Sequence, residues 1–429
     1  MTAARQPLPK SLYAETARPL APVSELAGDL TSSVVIVGGG YTGLSTALHL
    51  AERGIDAVVL EAHEPGWGAS GRNGGQVNPG LYPNPDQIIA DFGPEMGRRM
   101  LEFSSSAPDR VFALIRKYGI ACEAEQTGTL RMAFSPNKLA ATRETFTQLQ
   151  TSGSPATWME KAEVASATGT ARYLGGIRFP QGGKVNPLGY ARGLAEAAQK
   201  AGAKIFAGSP ALSVKKQGAK WRVTTPKGSV TADRLVLGTN AYTDNLWPHL
   251  KQSVVPVYTT IVATAPLSDN LARSVMPSGS VLYEVANNTV YYRLDAQNRL
   301  LMGGRSRQGD VTRFDQATKL TGYTLKLWPQ LADVAWTHVW NGQVAITTDH
   351  HIHLHEPEEN VLIALGYNGR GIAMATAMGQ VMADRIAGAK REDLPMPVTD
   401  IKTIPFHAFH KAGVAFRLAY GNVRDQLGI

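Results

Sequence analysis

The chain has 429 residues, room for two or three domains, and its 43% hydrophobic content is ample for a large core. Its one cysteine, Cys122, excludes an intrachain disulfide framework and leaves a cysteine-based zinc site without ligands, which fits a reducing cytoplasm. The net charge is +8, but the basic residues are scattered and form no Lys/Arg block, so a solvated basic surface is expected rather than a nucleic-acid partner. The first 30 residues are polar and proline-containing, without the apolar region of a signal peptide. No apolar run reaches the ~18 residues needed to span a bilayer. A cytoplasmic location is therefore expected.

In chain order, residues 1–30 read as an extended arm. Residues 32–63 form a strand–turn–helix–strand unit, and Gly66 to Gly80 a glycine-rich loop with little room for regular structure. Residues 86–118 have helical spacing (Ile88, Ile89, Phe92, Met96, Met100, Phe103), Gly128 to Phe134 alternates like a strand, and 137–151 and 160–168 read as helices. Asn186 to Ala201 is a helix, with Pro187 suited to its first turn and Gly202 to its stop. Short strands fill 204–236, and 232–240 (ADRLVLGTN) is a buried strand ending on small residues. Residues 254–264 and 281–304 read as antiparallel strands with a turn at 296–298, and 317–328 as a helix. A strand at 360–365, the turn GYNGRG and a helix over 372–387 follow. The aromatic and basic stretch 404–420 is expected as a helix on the protein's own surface, membrane contact being the less favoured reading.

Two of these segments carry chemistry. In VVIVGGGYTGLSTALHLAERG, Gly38 allows a tight turn, Gly40 lets the backbone approach a pyrophosphate, and Gly43 lets the helix pack on the strand. The free N–H groups of the first helical turn face the phosphates. Glu61 lies 18 residues beyond Gly43, close to the ~20 expected of a carboxylate that accepts from ribose hydroxyls. A nicotinamide fingerprint does not predict the second glycine turn at Gly366–Gly371. A flavin dinucleotide does, because its ring becomes reactive when positive charge or N–H donors sit at its N1 and O2 edge, and a helix starting near Gly371 supplies that dipole.

Together with GWGASGRNGGQ (66–76), VNPLGYARGLAEAA (185–198), ADRLVLGTNAY (232–242), VYYRLDAQNRLLMGG (290–304) and GYNGRGIAMATAMG (366–379), these segments make the chain resemble the D-amino-acid oxidase superfamily of FAD-dependent amine oxidoreductases, and within it the gamma-glutamylputrescine oxidoreductases. The resemblance runs from about Pro9 to the C-terminus. It implies an α/β fold of the glutathione-reductase type. A Rossmann-like FAD-binding domain would be assembled from 31–86, 186–247 and 340–393, and a mixed-sheet substrate domain from 87–185 and 248–339. Residues 1–30 would be an arm and 394–429 a C-terminal segment.

The implied reaction passes a hydride from the carbon beside an amine nitrogen to flavin N5, after which the imine hydrolyses; orienting a neutral amine over the ring does most of the work. Carried over residue by residue, Gly38, Gly39, Gly40, Tyr41, Thr42, Gly43, Glu61 and Ala62 hold the ADP part. Ser70, Arg72, Asn73, Gly74, Gly75 and Gln76 wrap the pyrophosphate and ring edge. Ala211 touches the adenine region, Thr239 and Asn240 close the sheet over the cofactor, and Gly366, Gly369, Arg370, Gly371 and Ile372 face the pyrimidine edge. Tyr292 is the expected pocket tyrosine above the ring, with ordinary strand packing as the alternative for Tyr291 and Tyr292. Tyr292, Arg72 and Gln76 are the expected catalytic residues.

Departures from the pattern bear on substrate. No arginine stands in Trp340-Asn341-Gly342-Gln343-Val344-Ala345, Ala373 replaces a lysine, and no lysine lies near Met302–Gly303. Bidentate carboxylate capture is what arginine does well, so a small amino acid held at those positions is disfavoured; Arg293 or Arg305 could substitute. Cys122 lies in the wrong segment for a covalent flavin, so FAD is expected to bind non-covalently. His351, His353 and His355 would share one strand face, but a strand that tolerates histidine is the expected reading and no metal is assigned. Three functions stay open: oxidation of gamma-glutamylputrescine or a similar amine, oxidation of a cyclic or N-substituted amino acid of the pipecolate or sarcosine type, or a flavin-binding protein without turnover. The electron acceptor is oxygen or a quinone-type compound.

Overall fold

In the computed structural model, which describes residues 5–428, the first strand of the βαβ unit runs Gly28–Val37 and sits at the centre of an eight-stranded sheet. Its partners are parallel: Ala57–Leu60 on one side and Gly228–Leu237 on the other, with Val37 opposite Leu60 and Leu237. Lys204–Phe206 extends the parallel set beyond Ala57–Leu60, and Val361–Leu365 extends it beyond Gly228–Leu237. The residues from Val34 to Val37 alternate between two cores. Val34 and Ile36 pack with the helices on one face, while Val35 and Val37 pack with Trp221 and Trp247 on the other. A strand buried on both faces needs a continuous apolar run, which is what VVIV supplies.

Three helices cover the first face. Tyr41–Ala51 lies between Pro187–Lys200 and Gly371–Ile386, so the two glycine-turn helices are direct neighbours. Their contact is close because Gly379 has no side chain: a Cβ there would lie 2.5 Å from the Ser45 Cβ. Ser45 Oγ donates to the Thr376 carbonyl at 2.7 Å, and the Thr42 and Tyr367 hydroxyls share a hydrogen bond at 2.7 Å.

The second sheet is mixed. Its order is Trp336–Ile346, Val255–Thr264, Leu300–Arg305, Val290–Leu294, Val281–Glu284, Thr129–Ala133, Gly175–Phe179 and Thr157–Glu160, with one parallel pair between Val281–Glu284 and Thr129–Ala133. It stands over the open end of the first sheet and leaves a cleft between them, walled by both.

Several expected boundaries fall differently. Residues 340–346 belong to the second sheet, since Trp336–Ile346 pairs with Val255–Thr264 over its whole length. The helices Pro85–Ser105 and Ala107–Tyr118 turn Ile88, Met100, Val111 and Phe112 into the core behind the first sheet, so they back the glycine-turn helices rather than the second sheet. The arm is not simply extended. Ser11 caps a short helix, Leu12–Thr16, by accepting from the Ala14 N–H, and Tyr13 packs edge-on against Trp340 at 5.1 Å. The glycine-rich loop contains a 3-10 turn at Ala69–Gly71 and a two-residue strand at Gln76–Val77. The first four residues of the expected arm, and Ile429, lie outside the described residues.

Gly43 shows how tightly the first unit closes. A Cβ at this position would stand 2.0 Å from the Gly38 carbonyl oxygen and 3.1 Å from Ile36 Cγ2. Backbone cannot yield as a flexible side chain can. Gly43→Val is therefore expected to destabilise the protein by ~1–3 kcal/mol or more, read as a lower urea midpoint for the cofactor-free protein. An unchanged midpoint would contradict this packing.

Candidate functional site

The cleft between the sheets is a cavity of about 860 Å³, inside the ~300–1,000 Å³ range usual for ligand and cofactor sites. Its floor is the first glycine turn. Gly38 has φ +108°, and a Cβ there would lie 2.9 Å from the Gly238 oxygen, so only glycine fits. Gly40, Tyr41 and Thr42 open onto the cavity, as does Glu61. Glu61 Oε2 accepts from the Gly39 N–H at 2.7 Å and Oε1 from the His63 N–H at 2.8 Å. Burial pushes its carboxyl pKa up, against the opposing pull of the His63, Gly39 and Ala62 N–H groups.

The loop GWGASGRNGGQ is laced onto this floor. The Gly66 N–H donates to the Gly39 carbonyl, and Ser70 Oγ accepts from the Tyr41 N–H at 3.0 Å, satisfying one of the free donors of that helix start. The Tyr41 hydroxyl donates back to the Ser70 carbonyl at 2.6 Å. Asn73 Nδ2 donates to the carbonyls of Ala69 and Ser70, and Asn73 Oδ1 accepts from the Gly75 N–H. Arg72 donates from Nε to the Trp67 carbonyl, with its guanidinium 4.2 Å over the Trp67 ring.

The second glycine turn enters from the other side. Asn240 Oδ1 accepts from the Gly366 N–H at 3.0 Å and so fixes the end of strand Gly228–Leu237 to this turn. Gly369, Arg370, Gly371 and Ile372 line the cavity. No side chain caps the helix Gly371–Ile386, and nothing beyond its own helix backbone and chain neighbours lies within 4 Å of a Cβ built at Gly371. Protein packing therefore does not explain that glycine; the open space faces the cavity. Two uncapped or half-capped helix starts, each with N–H groups and positive dipole ends, thus point into one cavity. That donor set fits an elongated dinucleotide with a pyrophosphate at one helix and an electron-accepting ring at the other.

Of the expected site residues, Ala62, Ser70, Arg72, Asn73, Gly74, Gln76, Ala211, Thr239 and Asn240 also line the cavity. Gly39, Gly43, Gly75 and Gly366 do not, and their glycines serve the turns themselves. A Cβ on Gly75 would meet the Val185 oxygen at 2.4 Å, and one on Gly366 would meet Thr347 Cγ2 at 2.5 Å. Gln76 faces the cavity, but its Nε2 is engaged by the carbonyls of Leu282 and Tyr292, so it ties the loop to the second sheet.

Tyr292 requires a correction. It is fully buried in the second sheet's own core, edge-on to Trp328 and hydrogen-bonded to Tyr173 at 2.5 Å, and it does not reach the cavity. Tyr291 lines the cavity instead, because adjacent strand residues face opposite sides. Its ring lies where Cβ atoms on Gly74 and Gly303 would stand, 2.6 Å and 2.2 Å from ring carbons, so both glycines make room for it.

The sequence named Arg305 and Arg370 but missed Arg131, the third cation of the cavity wall. Arg131 and Arg305 line the cavity, and neither has a hydrogen-bond or ion-pair partner among the described residues. Arg370 donates to the Tyr283 hydroxyl at 3.0 Å. Burial pushes the Tyr283 phenol up, but the guanidinium groups of Arg370 and Arg131 outweigh it and hold the pKa below the ordinary tyrosine value. Burial lowers the pKa of Arg131 and Arg305, yet arginine stays charged. The alternation of Thr129–Ala133 could have placed Arg131 opposite its buried neighbours, but nothing in the sequence brings it to the second glycine turn. Arg293 is excluded as a substrate group: it is buried, donating to the carbonyls of Gly74 and Val185.

Cys122 is buried outside the cavity, with its thiol pushed up to about 12 by burial. The histidines are engaged with protein partners, and His353 and His355 stack with ring centroids 5.3 Å apart. His351 bonds Asp91 at 2.7 Å, His353 bonds Thr399 Oγ1, and His355 Nδ1 bonds the Thr399 carbonyl at 2.7 Å. Among the described residues no group of three His, Cys, Asp or Glu is placed to hold a metal ion.

The family model "FAD dependent oxidoreductase" matches residues 33–385. Gamma-glutamylputrescine oxidoreductase of Escherichia coli (strain K12) is 32% identical over 98% of this chain and 99% of its own length. Probable oxidoreductase OrdL of Rhizobium meliloti (strain 1021) is 31% identical over 94% and 92%. In structure, glycine oxidase from Geobacillus kaustophilus superposes with a TM-score of 0.72 at 21% identity, over 86% of this chain and 99% of that one.

Because no protein atom crowds Gly371, Gly371→Val is expected to leave the urea midpoint of the cofactor-free protein unchanged while weakening FAD binding about tenfold or more (≥ ~1.4 kcal/mol). Titration of the cofactor-free protein with FAD, followed by flavin fluorescence, checks this; unaltered affinity would mean that this helix start does not meet the cofactor.

Proposed function

Because this chain belongs to the FAD dependent oxidoreductase family, we propose that it oxidises a C–N bond of gamma-glutamylputrescine or a similar gamma-glutamylated or substituted amine. At the coarser level it is a flavin-dependent oxidoreductase of amines or amino acids. The observation that carries the finer reading is the pair of unpartnered guanidinium groups, Arg131 and Arg305, in the cavity wall. These half-buried guanidinium groups open onto the cavity with no protein acceptor, and a ligand carboxylate is the acceptor such groups bind well. A gamma-glutamylated amine offers one: its carboxylate lies far from the amine that reacts. Similarity to the Escherichia coli enzyme over nearly the whole chain supports the same substrate class.

Bound FAD supplies the acceptor for the hydride that leaves the carbon beside nitrogen. The chain's own residues position and tune. Arg131 holds the carboxylate end, and Arg305 adds positive charge elsewhere on the same wall. Tyr291, lodged between Gly74 and Gly303, gives a flat apolar wall for the polymethylene part. Arg370, at the second glycine turn, adds positive charge that favours the neutral form of an amine bound beside the ring, the nitrogen whose lone pair assists hydride loss. Water adds to the imine to give a carbonyl compound and ammonia, or an amine where the nitrogen carries a substituent. The residues proposed to hold FAD are those of the two glycine turns and of the loop Ser70–Gln76. The cofactor is proposed to be non-covalent, the acceptor to be oxygen or a quinone-type compound, and the setting to be cytoplasmic.

Anaerobic mixing with gamma-glutamylputrescine should bleach the flavin band faster than putrescine, pipecolate or sarcosine does. Bleaching by the amino acids alone would move the substrate to that class. Arg131→Ala should raise KM for gamma-glutamylputrescine about 10- to 100-fold, the loss of one charge-assisted hydrogen bond of ~1.5–3 kcal/mol, with flavin content unchanged. An unchanged KM would remove Arg131 from the substrate site.

A further inference from the structure

The C-terminal helix His410–Leu427 is docked by one face and bare on the other. Its inner face is fixed by Asp425, whose carboxylate accepts from the N–H groups of Asn287 and Asn288, and by Asn288 Nδ2, which donates to the Leu418 carbonyl. Gly421 is its one fully buried residue; a Cβ there would meet Asn287 at 3.1 Å. On the opposite face Phe409, Phe416, Tyr420, Val423 and Leu427 recur every three, four or seven residues and form one stripe. Together with Phe406 they are 50–84% exposed, an unusual concentration of large apolar side chains in water.

The charges beside the stripe are all positive. Arg417, exposed, and Arg424, half-buried with its guanidinium 5.8 Å over the Tyr420 ring, lie along one edge. The helix's only acid, Asp425, is turned inward. We propose that this helix is a peripheral membrane anchor that lies in the plane of an anionic lipid surface, with its aromatic stripe among the acyl chains and its basic edge at the headgroups. Charge decides between this surface and a second copy of the chain. Two copies, each at +8, would bring Arg417 and Arg424 against their equivalents, whereas anionic lipid neutralises them. The helix lies on the membrane rather than through it: among the described residues no helix is long and apolar enough to cross. The loop that holds it, 285–289, carries Val285, Ala286 and Thr289 on the cavity wall, so docking sets the cavity beside the lipid surface.

The test is flotation of the full-length holoenzyme with vesicles of phosphatidylcholine alone or mixed with phosphatidylglycerol. The holoenzyme should float with the anionic vesicles at low salt, at least about tenfold less with the neutral ones, and progressively less as salt screens the charge. A Phe409→Ser/Phe416→Ser/Val423→Ser variant should lose at least about tenfold in vesicle binding while keeping its flavin spectrum and its turnover in solution. Arg417→Glu/Arg424→Glu should abolish the preference for anionic lipid. Failure of the wild type to float at low salt would overturn the proposal. So would equal flotation of the variants, or a concentration-dependent dimer that the serine variant dissolves.

Discussion

Everything in this molecule turns on the side-by-side packing of two helices that are more than 300 residues apart in sequence. Tyr41–Ala51 and Gly371–Ile386 can lie together only because Gly379 admits Ser45, and the Thr42–Tyr367 and Ser45–Thr376 hydrogen bonds set their relative height. Parallel packing on one sheet face brings both N-terminal ends to the same edge. There the unsatisfied N–H groups and positive dipole ends face a common space. A ligand with negative charge at its centre and an electron-accepting edge is the chemical complement of that arrangement.

The second sheet converts this edge into an enclosed site. It brings Tyr291 and the arginine wall over the opening, and it is joined to the floor by Gln76, whose amide spans Leu282 and Tyr292, and by Trp340, whose indole N–H donates to the Arg72 carbonyl. The buried arm helix with Tyr13 packs on the same Trp340. Hence the loop GWGASGRNGGQ is held from three sides, by the first turn, the second sheet and the N-terminal arm. In the proposed function, flavin chemistry and substrate choice are separated in space: the first sheet carries the residues proposed to hold FAD, and the second carries Arg131 and Arg305, proposed to select the ligand.

The floor was legible because its determinants are local. A tight turn, a close helix and a carboxylate at fixed spacing leave a mark within 31 residues, Thr31 to Glu61. The second turn at Gly366–Gly371 was legible for the same reason. Arg131 in the wall was not. Arg131 reaches the cavity only because Thr129–Ala133 pairs with Val281–Glu284, a contact between segments about 150 residues apart that no local pattern encodes. The choice between Tyr291 and Tyr292 hinged on strand parity, where a one-residue difference exchanges the faces. Both are tyrosines, so composition could not decide; the glycines at 74 and 303, which open space for one ring, could have done so once their pairing was known. The short helix in the arm left a weak signal, Ser11 before an apolar pair, too brief for periodicity to register.

The central claim is that one flavin dinucleotide spans the two helix starts and is held without a covalent bond. The most direct measurement is the absorbance spectrum of the purified full-length protein after saturation with FAD and removal of excess, followed by acid precipitation. The account predicts close to one flavin per chain, all of it released into the supernatant. A folded protein that retains no flavin, or flavin that stays with the precipitate, would contradict it.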